Sequence, residues 1–144
     1  MISDKLYAGA VAALIAAAAP PAWSQGRLAA DTLKIYGGNY STRCGDAGAP
    51  QLRVVADALM VESGGKRMSA RNVQAAYSYF GNSPPPDFDV VLMGEVKPGL
   101  ALEFHVYHDR AGRYAKIEAD PKVRPALGAL VGHKYRHCAA AGAA

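Results

Sequence analysis

The residues able to do chemistry are few: four histidines, two cysteines and one closely spaced pair of aspartates, Asp87 and Asp89. His133 and His137 share a face in either a helix or a strand, with Cys138 directly behind them. Zinc held there would need the Cys138 thiolate to be free. His105 and His108 lie in a strand-like segment at odd spacing, so they point to opposite faces and cannot chelate together. Asp87 and Asp89 would share one face of a strand, which makes acid–base work conceivable, although glycosidase carboxylates flank the scissile bond at a fixed separation. Ser63-Gly64-Gly65 sits between two hairpin strands rather than at the strand-to-helix turn of a nucleophile elbow. Gly64-Gly65-Lys66 lacks the upstream glycine of a phosphate loop. The expectation is therefore a protein with no catalytic activity, no metal and no cofactor.

The first two dozen residues point to export. Lys5 precedes an apolar, alanine-rich run over residues 6–19, Pro20-Pro21 break it, and Ala22-Trp23-Ser24 offers small residues where a signal peptidase reads. Residues 1–24 are read as a signal peptide cut before Gln25. The run is too short to anchor in a bilayer, and the residue directly after the cut is Gln25 rather than a cysteine that could carry a lipid. The mature chain is expected to be periplasmic or secreted, without stable membrane insertion. Cys44 and Cys138 lie 94 residues apart in it, and two cysteines in an exported chain are expected to pair. Closing so long a loop contributes ~4–5 kcal/mol in the chain-entropy model.

Residues 25–138 are enough for a single domain with its own core, and residues 139–144 read as a flexible tail. The best-specified stretch is Phe88 to Asp120: FDVVLMGEV, KPG, LALEFHVYH, DRAG, RYAKIEAD. These are three strands joined by two turns. If DRAG closes a hairpin with Gly112 left-handed, Tyr107 faces Tyr114 and Phe104 faces Ile117. Phe104, Val106, Ala115 and Ile117 then point inward, and His105, Tyr107, Tyr114 and Lys116 outward. Gly64-Gly65 signals a second hairpin, with Glu62 opposite Arg67, Val61 opposite Met68 and Leu59 opposite Ala70.

Elsewhere the pattern is weaker. Leu33–Tyr36 is read as a first strand, Gly37-Gly38-Asn39 as a turn, and Tyr40–Cys44 as the return strand. Asn72 to Phe80 is read first as a short helix, with Val73, Ala76, Tyr77 and Phe80 on its buried face, or an irregular turn; the alternative is that it continues the strand, with Tyr77 and Tyr79 on one face. Asp120-Pro121 starts a C-terminal helix through Ala126–Val131 that Gly132 ends. The fold class that follows is α+β, mainly β: a curled antiparallel sheet of about six or seven strands with the C-terminal helix packed on it.

The net charge of +4 falls entirely in the last quarter. Arg110, Arg113, Lys116, Lys122, Arg124, Lys134 and Arg136 there face only Asp109, Glu118 and Asp120. A basic patch of this kind can steer an acidic partner. Nucleic acid is not expected, because the chain is exported and the patch lacks an aromatic ladder on a recognisable module. The outward stripe of His105, Tyr107, Tyr114 and Lys116 has an interface-like composition. The loop Ser83-Pro84-Pro85-Pro86-Asp87 is stiff and would lose little entropy on docking. In plan alone the chain resembles small periplasmic inhibitor and immunity proteins, including bacterial lysozyme inhibitors; no motif of those families is matched residue by residue. The first expectation is a protein that binds or inhibits another envelope or secreted protein, such as a cell-wall hydrolase. A small-molecule or envelope-glycan binder using the interior of the sheet comes second. A hydrolase using Asp87 or Asp89 with a histidine comes third.

Overall fold

Apolar and polar side chains alternate along the strands, and the apolar set closes on itself. In the computed structural model, which describes residues 26–139, eight strands form a closed antiparallel barrel in sequence order. They are β1 (Gly38–Ser41), β2 (Gln51–Val55), β3 (Ala58–Ser63), β4 (Lys66–Ala76), β5 (Phe88–Lys97), β6 (Leu100–Asp109), β7 (Gly112–Ala119) and β8 (Tyr135–His137). Closure comes from β8, which pairs with β7 on one side and with β1 on the other, Tyr40 opposite His137 and Ser41 opposite Arg136. The expected signal peptide, its cut before Gln25 and residues 140–144 of the expected tail lie outside the described residues.

Both hairpins expected from their turns form in the expected register. Tyr107 pairs with Tyr114 and Phe104 with Ile117 across β6–β7. Glu62 pairs with Arg67, Val61 with Met68 and Leu59 with Ala70 across β3–β4. The inward residues pack solid: Tyr40, Leu52, Leu59, Val73, Leu92, Leu102, Phe104, Val106, Ile117 and Tyr135 are all 0% exposed. An eight-stranded barrel is just wide enough for side chains to fill. Gly94 marks a tight point in that filling. A Cβ there would lie 2.9 Å from the Ala70 Cβ and 3.1 Å from the Arg71 carbonyl.

The outer face carries Arg53, Glu62, Arg67, Arg71, Glu103, Lys116 and Glu118. An apolar inside and a charged outside are the inverse of a transmembrane barrel. No helix among the described residues is long and apolar enough to cross a membrane. A disulfide joins Cys44 to Cys138 as expected, with the two Cα atoms 5.5 Å apart, and fastens the strand that closes the barrel.

Five expectations are corrected. Leu33–Tyr36 is not a strand but the last part of helix α1 (Ala30–Tyr36), because Thr32 and Tyr36, one turn apart, are the residues it buries. That helix lies over the barrel end where β2–β3, β4–β5 and β6–β7 connect. The Leu28 amide donates to the Ala56 carbonyl, and the Thr32 and Tyr77 hydroxyls are 2.6 Å apart. The first strand is Gly38–Ser41, so Gly37-Gly38-Asn39 is no turn and Tyr40–Cys44 no return strand. Of the readings of Asn72–Phe80 the helix is the one that fails, since β4 continues as a strand to Ala76. A bulge between Arg71 and Gln74 places Asn72 at φ 54° and turns Val73 into the core, where its amide donates to the Gly26 carbonyl. The C-terminal helix is shorter than expected: α2 (Arg124–Leu127) is followed by a 3-10 segment, Gly128–Gly132, because Gly128 adopts φ 55°. It packs Leu127 and Leu130 against the other barrel end. Finally, Asp87 and Asp89 do not share a strand face. Asp87 stands in the loop at φ 67°, and Asp89 occupies the bulge at the start of β5.

Candidate functional site

The outer face of β5–β7 gathers the aromatic side chains. Register alone brings Phe88, Tyr107 and Tyr114 into one row across three strands. The link between β4 and β5 then doubles back over them. It turns at Tyr79-Phe80-Gly81-Asn82, with the Asn82 amide donating to the Tyr79 carbonyl at 2.8 Å. Both central residues have positive φ, Phe80 at 49° and Gly81 at 75°. Glycine adopts this conformation freely; a phenylalanine held there costs about 1–3 kcal/mol. The turn sets the Tyr79 ring 5.2 Å from Phe88 and leaves Phe80 54% exposed.

The result is a continuous strip of rings. Tyr79 meets Phe88 edge-on, Phe88 meets Tyr107 edge-on at 6.1 Å, and Tyr107 stacks on Tyr114 at 5.3 Å. The Lys134 ammonium at 4.1 Å and the Arg136 guanidinium at 5.2 Å lie over the Tyr114 ring and end the strip. Burial raises the Tyr107 hydroxyl pKa, with Tyr79 and Tyr114 adding to the effect.

The expected site residues fall on or beside this strip. Tyr107 and Tyr114 are half-buried within it, and Lys116 is exposed next to it. Pro84, Pro86 and Asp87 are exposed and Pro85 half-buried in the loop that leads back to Phe88. That loop is pinned at its end, where the His108 amide donates to the Asp87 carbonyl at 3.0 Å. His105 faces outward but is only 6% exposed, covered by Tyr79 and Phe80. Its Nε2 lies 3.0 Å from a Glu103 carboxylate oxygen. Tyr79, Phe80 and Phe88 were not among the expected contact residues. An aromatic pair next to Gly-Asn in a proline-rich loop is the local signal that could have found the first two.

Alongside the strip runs a groove of about 360 Å³, lined by Tyr79, Glu103, His105, Tyr107, Glu118 and Asp120 among others. Glu103 and Glu118 stand directly opposite each other on β6 and β7. Like charges in that position are unfavourable.

The other candidate chemistry is dispersed. The Asp89 carboxylate lies 2.7 Å from His108 Nδ1 and 3.8 Å from Arg113 Nε, at the α1 end of the barrel. His137 Nε2 lies 2.8 Å from the Gly37 carbonyl oxygen, His133 is exposed, and Cys138 is spent in the disulfide. The basic quarter is largely paired as well. Arg136 donates both guanidinium nitrogens to Asp109 at 2.7 and 2.6 Å, Lys134 approaches the same carboxylate, Arg113 faces Asp89, and Arg124 reaches Glu118. The Arg136 guanidinium holds the Asp109 carboxyl well below the usual carboxylate range.

Fold and face together define a small disulfide-closed up-and-down barrel, packed inside and aromatic along one outer face. Compared with models of known protein families, with curated proteins and with solved structures, the chain matches none.

Proposed function

We propose that the protein is an exported, non-catalytic binding protein of inhibitor or immunity type that docks another envelope or secreted protein, such as a cell-wall hydrolase, on the strip from Phe80 to Tyr114. One observation carries this most: Phe80 is a large apolar ring held 54% exposed on a strained backbone. Phe80 covers one side of His105, yet more than half of its ring stays exposed at a backbone position that glycine or asparagine adopts more easily. Strain of this kind concentrates at functional sites. Aromatic residues flanked by an exposed proline-rich loop supply rigid anchors at low entropic cost. Two further facts favour the outer face over the other expectations. The barrel interior is filled by its own side chains, which leaves little room for a ligand there. Asp87 and Asp89, the carboxylates a hydrolase would use, face different surroundings.

The test uses the mature protein as bait in envelope extract, with the captured partner purified and titrated against wild type and a Tyr107→Ala/Tyr114→Ala variant. The variant should bind at least about 2 kcal/mol more weakly, the size of an interface hot spot. Equal affinity would remove the strip as the docking face.

A further inference from the structure

At the barrel end away from α1, strand β4 begins before its partner β5 can reach it. The two-residue loop Gly64-Gly65 sets the β3–β4 register, so Ser63 and Lys66 exchange backbone hydrogen bonds, as do Val61 and Met68. By alternation Arg67 and Ser69 turn their amides and carbonyls away from β3. On that side pairing with β5 starts only at Arg71, opposite Glu95, and β5 ends at Lys97. Among the described residues no strand covers the edge from Lys66 to Ser69. We propose that this edge takes a short, extended, acidic protein segment as an added strand, with one apolar side chain of that segment lodged between Met68 and Leu127–Leu130. The edge lies apart from the aromatic strip, and the proposal does not rest on the reading above.

Three observations select that occupant. First, an unpaired edge accepts a strand: main-chain bonds supply affinity, and pockets for alternate side chains supply specificity. Second, such a pocket is present. A crevice of about 310 Å³ lies between the β3–β4 hairpin and the C-terminal helical segment, lined by Val61, Met68, Leu127 and Leu130, with Lys66 at its rim. Lys66 and Met68 share one face of β4, the face that meets the crevice. A strand added beside β4 continues that face, so its alternate side chains point into the crevice. Met68 and Leu130 are only half-buried and have apolar surface left to cover. Third, the rim is basic. Lys66 and Lys97 are exposed and make no ion pair among the described residues, while Arg67 meets Glu62 at 3.1 Å. Lysines on an edge ordinarily repel other strands of the same kind. They tell against a second copy of this chain, whose own edge would bring like charges together. An acidic strand gains from the same lysines.

The experiment titrates a blocked peptide with the order glutamate, threonine, leucine, threonine, glutamate into isotope-labelled mature protein, followed by NMR. Its symmetry brings a glutamate to Lys66 whichever way it enters. The Arg67 and Ser69 amides and the Met68 and Leu130 methyl groups should shift saturably, and both amides should gain protection from hydrogen exchange. The same peptide N-methylated at both threonines, which removes its donors to the edge, should bind at least about tenfold more weakly. So should the peptide with lysine for both glutamates. A Lys66→Glu/Lys97→Glu variant, altered only at exposed and unpaired positions, should reverse the preference between the acidic and the lysine peptide. No saturable binding, equal binding of the N-methylated peptide, an unchanged preference in the variant, or shifts centred on Tyr107 and Tyr114 would overturn the proposal. Concentration-dependent shifts of Arg67 and Ser69 without peptide would give the edge to a second copy and overturn it as well. The Tyr107→Ala/Tyr114→Ala variant leaves this edge untouched and should bind the peptide as wild type does, so the strip can fall while the edge stands.

Discussion

Strand β6 has two faces made of alternate residues, and they obey different rules. Leu102, Phe104 and Val106 point into the barrel and are 0% exposed, each fixed by neighbours on adjacent strands. Glu103, His105 and Tyr107 point outward from the same backbone and meet a carboxylate, a doubled-back loop and a stack of rings. Inside, every side chain is explained by close packing. Outside, several are placed at a cost: two glutamates face each other, and Phe80 sits on a strained backbone. Close packing accounts for the inner face; on the outer face it leaves these costs unexplained.

That contrast can be broken at several points. The largest effect is expected from the Cys44→Ala/Cys138→Ala pair, about 4–5 kcal/mol in denaturant unfolding on the chain-entropy model. A loss below about 1 kcal/mol would mean that the strand ladder alone holds the closure. Phe104→Ala should cost about 3–5 kcal/mol, as for a core phenylalanine. Gly94→Ala, on the same inner surface, should cost about 1–3 kcal/mol by overpacking against Ala70. The outer face should respond with the opposite sign. Phe80→Asn places Asn-Gly at a turn that favours it, so stability should hold or rise by up to about 1 kcal/mol while partner binding weakens. A clear drop in melting temperature would show that Phe80 is structural. The smallest effect concerns pH. Because the Asp109 pKa is depressed in the folded state, its stabilising contribution is complete above the ordinary Asp value near 3.9 and fades as pH falls through the lowered one. Acid unfolding profiles of wild type and Asp109→Asn should therefore differ most near neutral pH and converge in strong acid.

What could be read from the chain beforehand follows the range of the physics involved. Gly64-Gly65 and Asp109–Gly112 are local signals, so both hairpins and their registers were legible. Leu33–Tyr36 was misread because four residues of mixed polarity suit a strand or a helix equally. The helical choice depends on burying Thr32 and Tyr36 against a barrel end that lies elsewhere in the chain. Asn72 looked like a helix cap, whereas it serves a bulge that only pairing with β5 calls for. Closure was hidden for the same reason, since β1 and β8 meet from opposite ends of the domain. Tyr107 and Tyr114 could be placed outside by alternation. Their covering neighbours Tyr79 and Phe80 could not, because a loop decides where those rings go.

The closing strand is only Tyr135–His137, at the far end of the described chain. That segment is synthesised after every other strand, so the cylinder stays open until Tyr135–His137 has emerged. Until then β1 and β7 each present a raw edge able to recruit another chain. Tyr135–His137 thus acts as a latch, and a nascent molecule stopped just short of Tyr135 would carry nearly all of its core and still be prone to aggregate.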